Sequence, residues 1–364
     1  MKENNFMVLR LLGLKKEATY GKLAGEDVEG FNLAAVDPDV HRRIGDGNFK
    51  LNDEPKTFNE GSRMIQGARA GAMKPTGSTS GKCDLTRITH YLHALFDEYE
   101  CDSGTTISGT KYYTHEFWGG EGHYLNSFHA WATYDIFQKH IVGLMLESLK
   151  LEVSDDFMTQ SEEWVYQTET REAIDEDEYD IIEVENEIPL MFYDITVLLG
   201  TSDITHGTSS RVYTSLSFEA KNNFNQDGTV GLGSRGPQRQ AAAQGREINL
   251  SLSTYLSPNT LSLINAAEYG YTSIDAPSGC HVLEAPLKII IRTCENSHEY
   301  LEMYFPSCII DVEYSYSEAE EIETTFNLIS LGTKTATKVD GDIIRTDAYM
   351  KLVNTVPAIT SAIA

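Results

Sequence analysis

The 364-residue chain is short of basic residues, cysteine and long apolar runs, and each shortage closes off a class of function. Lysine and arginine number 29 against 55 aspartates and glutamates, a net charge of −26. Such a field repels phosphates and anionic membranes, so the outside of a duplex or an acidic bilayer is not the expected partner. The five cysteines, Cys83, Cys101, Cys280, Cys294 and Cys308, are odd in number and include no CxxC pair. Neither a disulfide framework nor a structural zinc site is therefore expected. No apolar run approaches the ~20 residues that span a bilayer. The opening MKENNFMVLRLLGLKKEATYG is interrupted by Arg10 and lacks the cleavage pattern of a signal peptide.

Catalytic patterns are missing as well. GxSxG is absent, and the Gly-rich stretch GLGSRGPQRQAAAQGRE (231–247) has neither the Lys-Ser/Thr ending of a phosphate loop nor the strand-GxGxxG-helix order of a dinucleotide site. His90 and His93, three residues apart, share a helix face on which they could hold a metal. No Cys or acid stands at a diagnostic spacing, and surface or interface positions are expected for them. Asp194, Asp203 and Glu219 are scattered carboxylates without a motif. The expectation is a protein without enzymatic activity, cofactor or metal.

What the chain does contain is strand-forming alternation. Leu149, Leu151 and Val153 alternate with Lys150 and Glu152, and similar patterns mark 192–199, 212–218, 287–291 and 309–316. Two helices are predicted. One covers 86–100, where Ile88, Tyr91, Leu92, Leu95, Phe96 and Tyr99 form an apolar stripe; the other covers 257–269, from Ser257 and Pro258 to Gly270. The class is mainly β with one helix per half.

The two halves resemble each other. GARAGAMKPTGSTSGKCDL (67–85) precedes the first helix as GSRGPQRQAAAQGREINL (233–250) precedes the second, matching Leu85 to Leu250. GLMLESLKLEV (143–153) matches PSCIIDVEYSY (306–316), with Leu149 beside Val312. Two matches in one order suggest a duplication. Between them, residues 152–187 hold fifteen acids and one base, Arg171, which reads as a solvated strand edge and connection. The organisation expected is an N-terminal arm with first strands (1–60), a first domain (61–186), a second domain (187–345) and a C-terminal tail (346–364).

Several of these pieces together resemble one family, the tail tube proteins of long-tailed phages. GLKKEATYGKLAG (13–25) is similar to its E-x-T-x-G opening, here Glu17, Thr19 and Gly21. The Gly-rich arm before KCDLTRITHYLHALF, the strand EFW, LNSFHAWATYD (125–135) and GLMLESLKLEVSDD, with its Gly-x-x-x-x-Ser-Leu-x-Leu pattern, resemble its first portion. IPLMFYDITVLL, SLSFEAKNNFN and REINLSLSTYL resemble its C-terminal portion.

The resemblance implies two tandem β-sandwich or barrel domains whose strands join those of neighbours in a closed β-barrel ring around a channel. Single-domain tubes use six chains per ring, so a duplicated chain implies a ring of three, and a chain without the duplication a ring of six. It further implies a conduit for DNA in a virion tail, assembled in the host cytoplasm. DNA would pass without specific binding, and the implied partners are other copies of the chain and tape-measure, terminator and baseplate or tip proteins. No membrane insertion is expected. Arg63, Arg69, Lys74 and Lys82 in the first basic arm, and Arg235, Arg239 and Arg246 in the second, are candidates for contacts between subunits or rings. Lys150 and Glu152 are candidates for a face turned to the lumen. A tail terminator, a capsid decoration protein and an extracellular β-sandwich binding module are the alternatives.

Overall fold

Side-chain alternation dictates the dominant element. Leu149, Leu151 and Val153 are buried, while the Lys150 and Glu152 side chains are 39% and 47% exposed, the two-residue period of a strand with one wet side. The computed structural model describes residues 9–23, 40–52, 56–58, 67–69, 71–134, 137–173, 188–199, 202–203, 213–256, 260, 264, 284–293, 298–315 and 322–360.

The first half runs through β1 (Leu9–Lys16), β2 (Val40–Arg43), β3 (Asp46–Lys50), β4 (Lys56–Phe58), β5 (Gly67–Arg69) and β6 (Thr76–Lys82) into α1 (Ile88–Leu95). It continues as β7 (Glu98–Cys101), β8 (Thr105–Ile107), β9 (Thr110–Trp118), β10 (Phe128–Tyr134), β11 (Phe137–Val153), β12 (Thr159–Val165) and β13 (Thr168–Ala173). The second half begins with β14 (Ile195–Leu199), β15 (Ser202–Asp203), β16 (Tyr213–Lys221), β17 (Phe224–Asn225), β18 (Ala242–Ala243) and β19 (Glu247–Tyr255). It ends with β20 (Glu284–Arg292), β21 (Tyr300–Ser315), β22 (Glu323–Ser330), β23 (Thr335–Thr337), β24 (Ile343–Arg345) and β25 (Tyr349–Asn354).

One antiparallel sheet crosses both halves. β3 pairs with β6, β6 with β12, and β12 with the C-terminal part of β11. That part pairs with β16, β16 with β19, β19 with β22, and β22 with the C-terminal part of β21. The order β3-β6-β12-β11 thus recurs as β16-β19-β22-β21. The N-terminal part of β11 lies between β10 and β13, with β1 and β2 beyond β10. Likewise, the N-terminal part of β21 lies between β20 and β25, with β14 and β15 beyond β20.

Each long strand therefore serves two sets of neighbours and must bend between them. In β11 the bend falls at Gly143, whose φ of +68° is left-handed, beside a register shift against β10. In β21 it falls at Pro306, which lacks an N–H and sits where the ladder with β20 skips. Different residues produce the same interruption.

The core is continuous and draws on both halves, from Leu12 and Phe49 to Phe305 and Leu352. Helix α1 lies inside it, packed on β11 and β9, with all eight residues buried. This corrects the predicted helix in two respects. It stops at Leu95 because Phe96 turns extended (ψ 147°), which puts Tyr99 in β7. It also has no wet flank: His90 and His93 are 2% and 1% exposed, so they are core residues and not the surface or interface histidines expected. Of the second predicted helix, Thr260 and Ile264 are described; both are helical and buried.

TGSTSGK, expected in the first basic arm, is instead the interior strand β6, with Gly77 making room for the Phe49 ring. The match of Leu85 to Leu250 is displaced for the same reason: β6, not the segment around Leu85, holds the sheet position that β19 holds in the second half. Phe192–Asp194 form a 3₁₀ turn, and the strand there begins at Ile195. The first strands expected within 1–60 include β1 and β3, and the residues set apart as a C-terminal tail supply β25, in register with β21 and β9.

Candidate assembly surface

The E-x-T-x-G segment fixes the frame on which the sheet is built. Thr19 and Lys22 close a tight turn that needs the left-handed φ of +77° at Gly21. The Glu17 carboxylate, fully buried, then accepts the N–H of Gly21 at 2.6 Å, the Ser127 hydroxyl at 2.6 Å and the Gly143 N–H at 2.8 Å. One side chain thereby ties the end of β1, the approach to β10 and the bend of β11. Its charge is compensated by three donors, as a buried carboxylate requires. His129 Nε2 lies 3.3 Å away, but burial holds its pKa at about 4, so it stands there neutral.

The sheet face opposite the core is lined with hydroxyls, amides and charges. Successive strands place Ser80, Ser161, Lys150, Glu219 and Asn249 in one cross-strand row. The next row holds Lys82, Thr159, Glu152, Ser217, Ser251 and Asn327. Ion pairs run along strands, Lys150 with Glu152 at 2.8 Å and Lys221 with Glu219 at 2.9 Å. Lys150 and Glu152 thus lie on the wet face of a continuous sheet, the face their alternation implied.

The eight-strand run from β3 to β21 has two ends, apart from β2, β7, β8, β13 and β15, which each pair with one strand among the described residues. At one, β3 pairs with β6, and among the described residues no strand lies on its other side. At the other, β20 accompanies β21 only as far as Ile309, and beyond it no described strand flanks β21 on that side. The Val312 N–H there is held by its neighbour's side chain, Asp311 Oδ1, at 3.0 Å. A local acceptor of this kind is how an edge donor is satisfied without a partner strand.

The second basic arm does not project. It folds over the first half, where Ala241 packs on Met145 and Val165, and the Gln240 amide donates to the Leu125 carbonyl at 2.6 Å. Arg235 approaches the first arm: its carbonyl accepts the Met73 N–H at 2.6 Å, and its Nε donates to the Gly71 carbonyl at 3.3 Å. Lys74 pairs with Asp227 at 3.0 Å, both well exposed. Lys82 stands 3.7 Å from the Phe157 ring.

Arg246 is engaged inside the chain. It donates to Asp347 at 2.8 and 3.1 Å, approaches Asp97 at 3.5 Å and stacks on Phe96. Gly119 is needed beside it, because a Cβ there would overlap the guanidinium. Arg239 is exposed, with no ion-pair partner among the described residues. Arg69 ends β5, and Arg63 lies outside the described residues. The arms expected between rings thus meet each other within one chain, at Met73, Lys74, Asp227 and Arg235.

Sequence reasoning missed the edge residues of β3 and β21. Lys50 and Glu313 sit on short or long strands with ordinary polar alternation, and nothing local distinguishes an edge strand from an interior one. The periodic match of β11 to β21 was the one available signal. No protein-family model matches the chain, and a search of curated proteins finds none similar to it.

Proposed function

We propose that this chain is a virion structural protein of the tail tube type, which assembles into rings that stack into a conduit for DNA. The observation that carries the reading is the repeated strand order β3-β6-β12-β11 and β16-β19-β22-β21 in one open sheet. Two tandem units in one chain, each contributing four strands, are what a ring of three chains with six equivalent positions requires. An unflanked strand end is an aggregation hazard unless something covers it, and ring closure would cover the β3 and β21 ends at once.

The polar face fits the inside of such a ring. Serine, threonine and asparagine offer weak, replaceable contacts, and net negative charge of the chain opposes lasting attachment of phosphates, so DNA slides instead of binding. Lys150 and Glu152, paired with each other, belong to that face. Tape-measure, terminator and baseplate or tip proteins are the further partners this reading brings.

Electron microscopy of the purified protein tests it. Uniform tubes with three chains per ring are expected. Single rings that never stack would favour a terminator instead, and a protein monomeric at all concentrations would overturn the reading.

A further inference from the structure

The chain contains one joint between its own two repeated strand sets, and that joint is a template for the contact it lacks. Within the chain, the C-terminal part of β11 pairs with β16: Ser148 opposite Lys221, Leu149 opposite Ala220 and Lys150 opposite Glu219. β21 holds the position of β11 in the repeated order, and β3 holds that of β16.

The register follows from the sequence match of Leu149 to Val312, which pairs Ser148 with Asp311, carried across each half by the ladders. Ser148 leads across β12 and β6 through Glu163 and Ser78 to Asn48. Asp311 leads across β22 and β19 through Asn327 and Ser251 to Ser217. With Asp311 as the match of Ser148, Asn48 is the match of Ser217. Moving two residues along each strand makes Glu313 the match of Lys150 and Lys50 the match of Glu219.

We propose that β21 of one chain pairs antiparallel with β3 of a second copy, with Glu313 opposite Lys50, Tyr314 opposite Phe49 and Ser315 opposite Asn48. The inference rests on the assembly reading above and specifies its contact.

Three observations support it. First, the charges are complementary but exchanged: lysine faces glutamate inside the chain, and glutamate faces lysine between chains. Lys50 and Glu313 are both exposed and have no ion-pair partner among the described residues. Opposite charges across a strand pair favour one register, and like charges oppose it. Second, both edges are unflanked by described strands, as shown above. Third, the in-chain joint is covered by the arm between β16 and β19, which buries Met145 and Val165 to 1% and 4% exposure. Their matches are Ile309 and Ile329, which face each other across β21 and β22, and Ile329 is 50% exposed. The β4–β5 hairpin lies between β3 and β6 as β17–β18 lies between β16 and β19, so the second copy brings its own cover for Ile329.

Two local contacts must accommodate the joint: the Val312 N–H beside Glu313 turns from Asp311 Oδ1 towards the second copy, and the Phe49 carbonyl takes a further donor. The Phe49 carbonyl accepts Lys139 Nζ at 2.6 Å, but a carbonyl has two lone pairs and can take a second donor. The contact is head to tail, so repeating it closes a ring or extends a filament.

Paired cysteines test the register. Glu313→Cys combined with Lys50→Cys, oxidised during assembly, is expected to give a disulfide ladder ending at three chains. Glu313→Cys with Asp46→Cys, displaced along the strand, and the native chain should cross-link at most about a tenth as much. Separately, Lys50→Glu or Glu313→Lys should raise the concentration needed for assembly by about tenfold or more, and the double reversal should restore it. Assemblies that form normally while the in-register cysteines stay unlinked and the single reversals have no effect would overturn this joint and leave the assembly reading intact. A native chain that never assembles would overturn both.

Discussion

β11 and β21 are matched strands in unmatched surroundings. β11 is flanked on both sides along its C-terminal part, by β12 and β16, and its polar residues form part of an unbroken face. β21 has β22 on one side and no described strand on the other beyond Ile309. The bends differ as well, a left-handed glycine held by Glu17 in one and a proline at a ladder skip in the other. The comparison teaches that one strand position can be flanked on both sides or on one, and that the alternation of packed and wet residues is kept while the residues themselves differ.

The largest expected effect tests the frame of the first half. Glu17→Ala leaves the Gly21 and Gly143 N–H groups and the Ser127 hydroxyl without their acceptor, and should cost about 4 kcal/mol in denaturant unfolding. Arg246→Ala strands Asp97 and Asp347, whose side chains are 5% and 16% exposed, and about 3 kcal/mol should be lost in the same measurement.

The bends offer a direct contrast. Gly143→Ala forces a left-handed alanine against the Tyr20 ring and the Gln167 side chain, each 2.9 Å from the new Cβ, and should destabilise by about 2 kcal/mol or more. Pro306→Ala should change stability by about 1 kcal/mol or less, because the ladder skips at that residue whether or not it has an N–H. Equal losses at the two positions would break this contrast between the bends.

Acid should act through the buried histidines. Burial takes His90 down to about 3 and His129 down to about 4, below the ordinary 6.5 that applies once the chain unfolds. Above pH 6.5 neither state binds these protons and stability is complete. As the pH falls from 6.5 towards 4, the unfolded chain takes up protons the folded one refuses, so stability declines by up to ~1.4 kcal/mol per pH unit for each group. His90 has no hydrogen-bond partner among the described residues, so His90→Phe should flatten this slope while costing little at neutral pH.

The smallest effect belongs to the in-chain counterpart of the proposed contact. Lys150→Glu faces Glu219 across β11 and β16 on a wet surface, and should shift unfolding by less than about 1 kcal/mol without altering assembly. Glu313→Lys should do the reverse, leaving the melting temperature of the subunit unchanged while impairing association.

Strand alternation in β11, β16, β20 and β21 was legible because one face of each is packed and the other is wet. β6 was not, because Gly77, Ser78, Ser80 and Gly81 carry little hydrophobic signal; the Phe49 ring fills the space above Gly77. The helix was legible in its spacing, but His90 and His93 were misplaced, since polarity suggested a surface and the surrounding sheets enclosed it. Glu17, Thr19 and Gly21 were legible as a motif, although their work, tying three segments through one carboxylate, depends on Ser127 and Gly143 far along the chain.

By itself the sequence determined a mainly β chain, the wet and packed faces of its long strands, and a match between 143–153 and 306–316, because these depend on residue order and local spacing. The tertiary structure alone decided which strands are interior and which are edges, where the basic arms lie, and that Arg246 belongs to Asp97 and Asp347. Those outcomes depend on hydrogen bonds and ion pairs between segments tens to more than a hundred residues apart, and no local pattern encodes which partner a strand or a guanidinium will find.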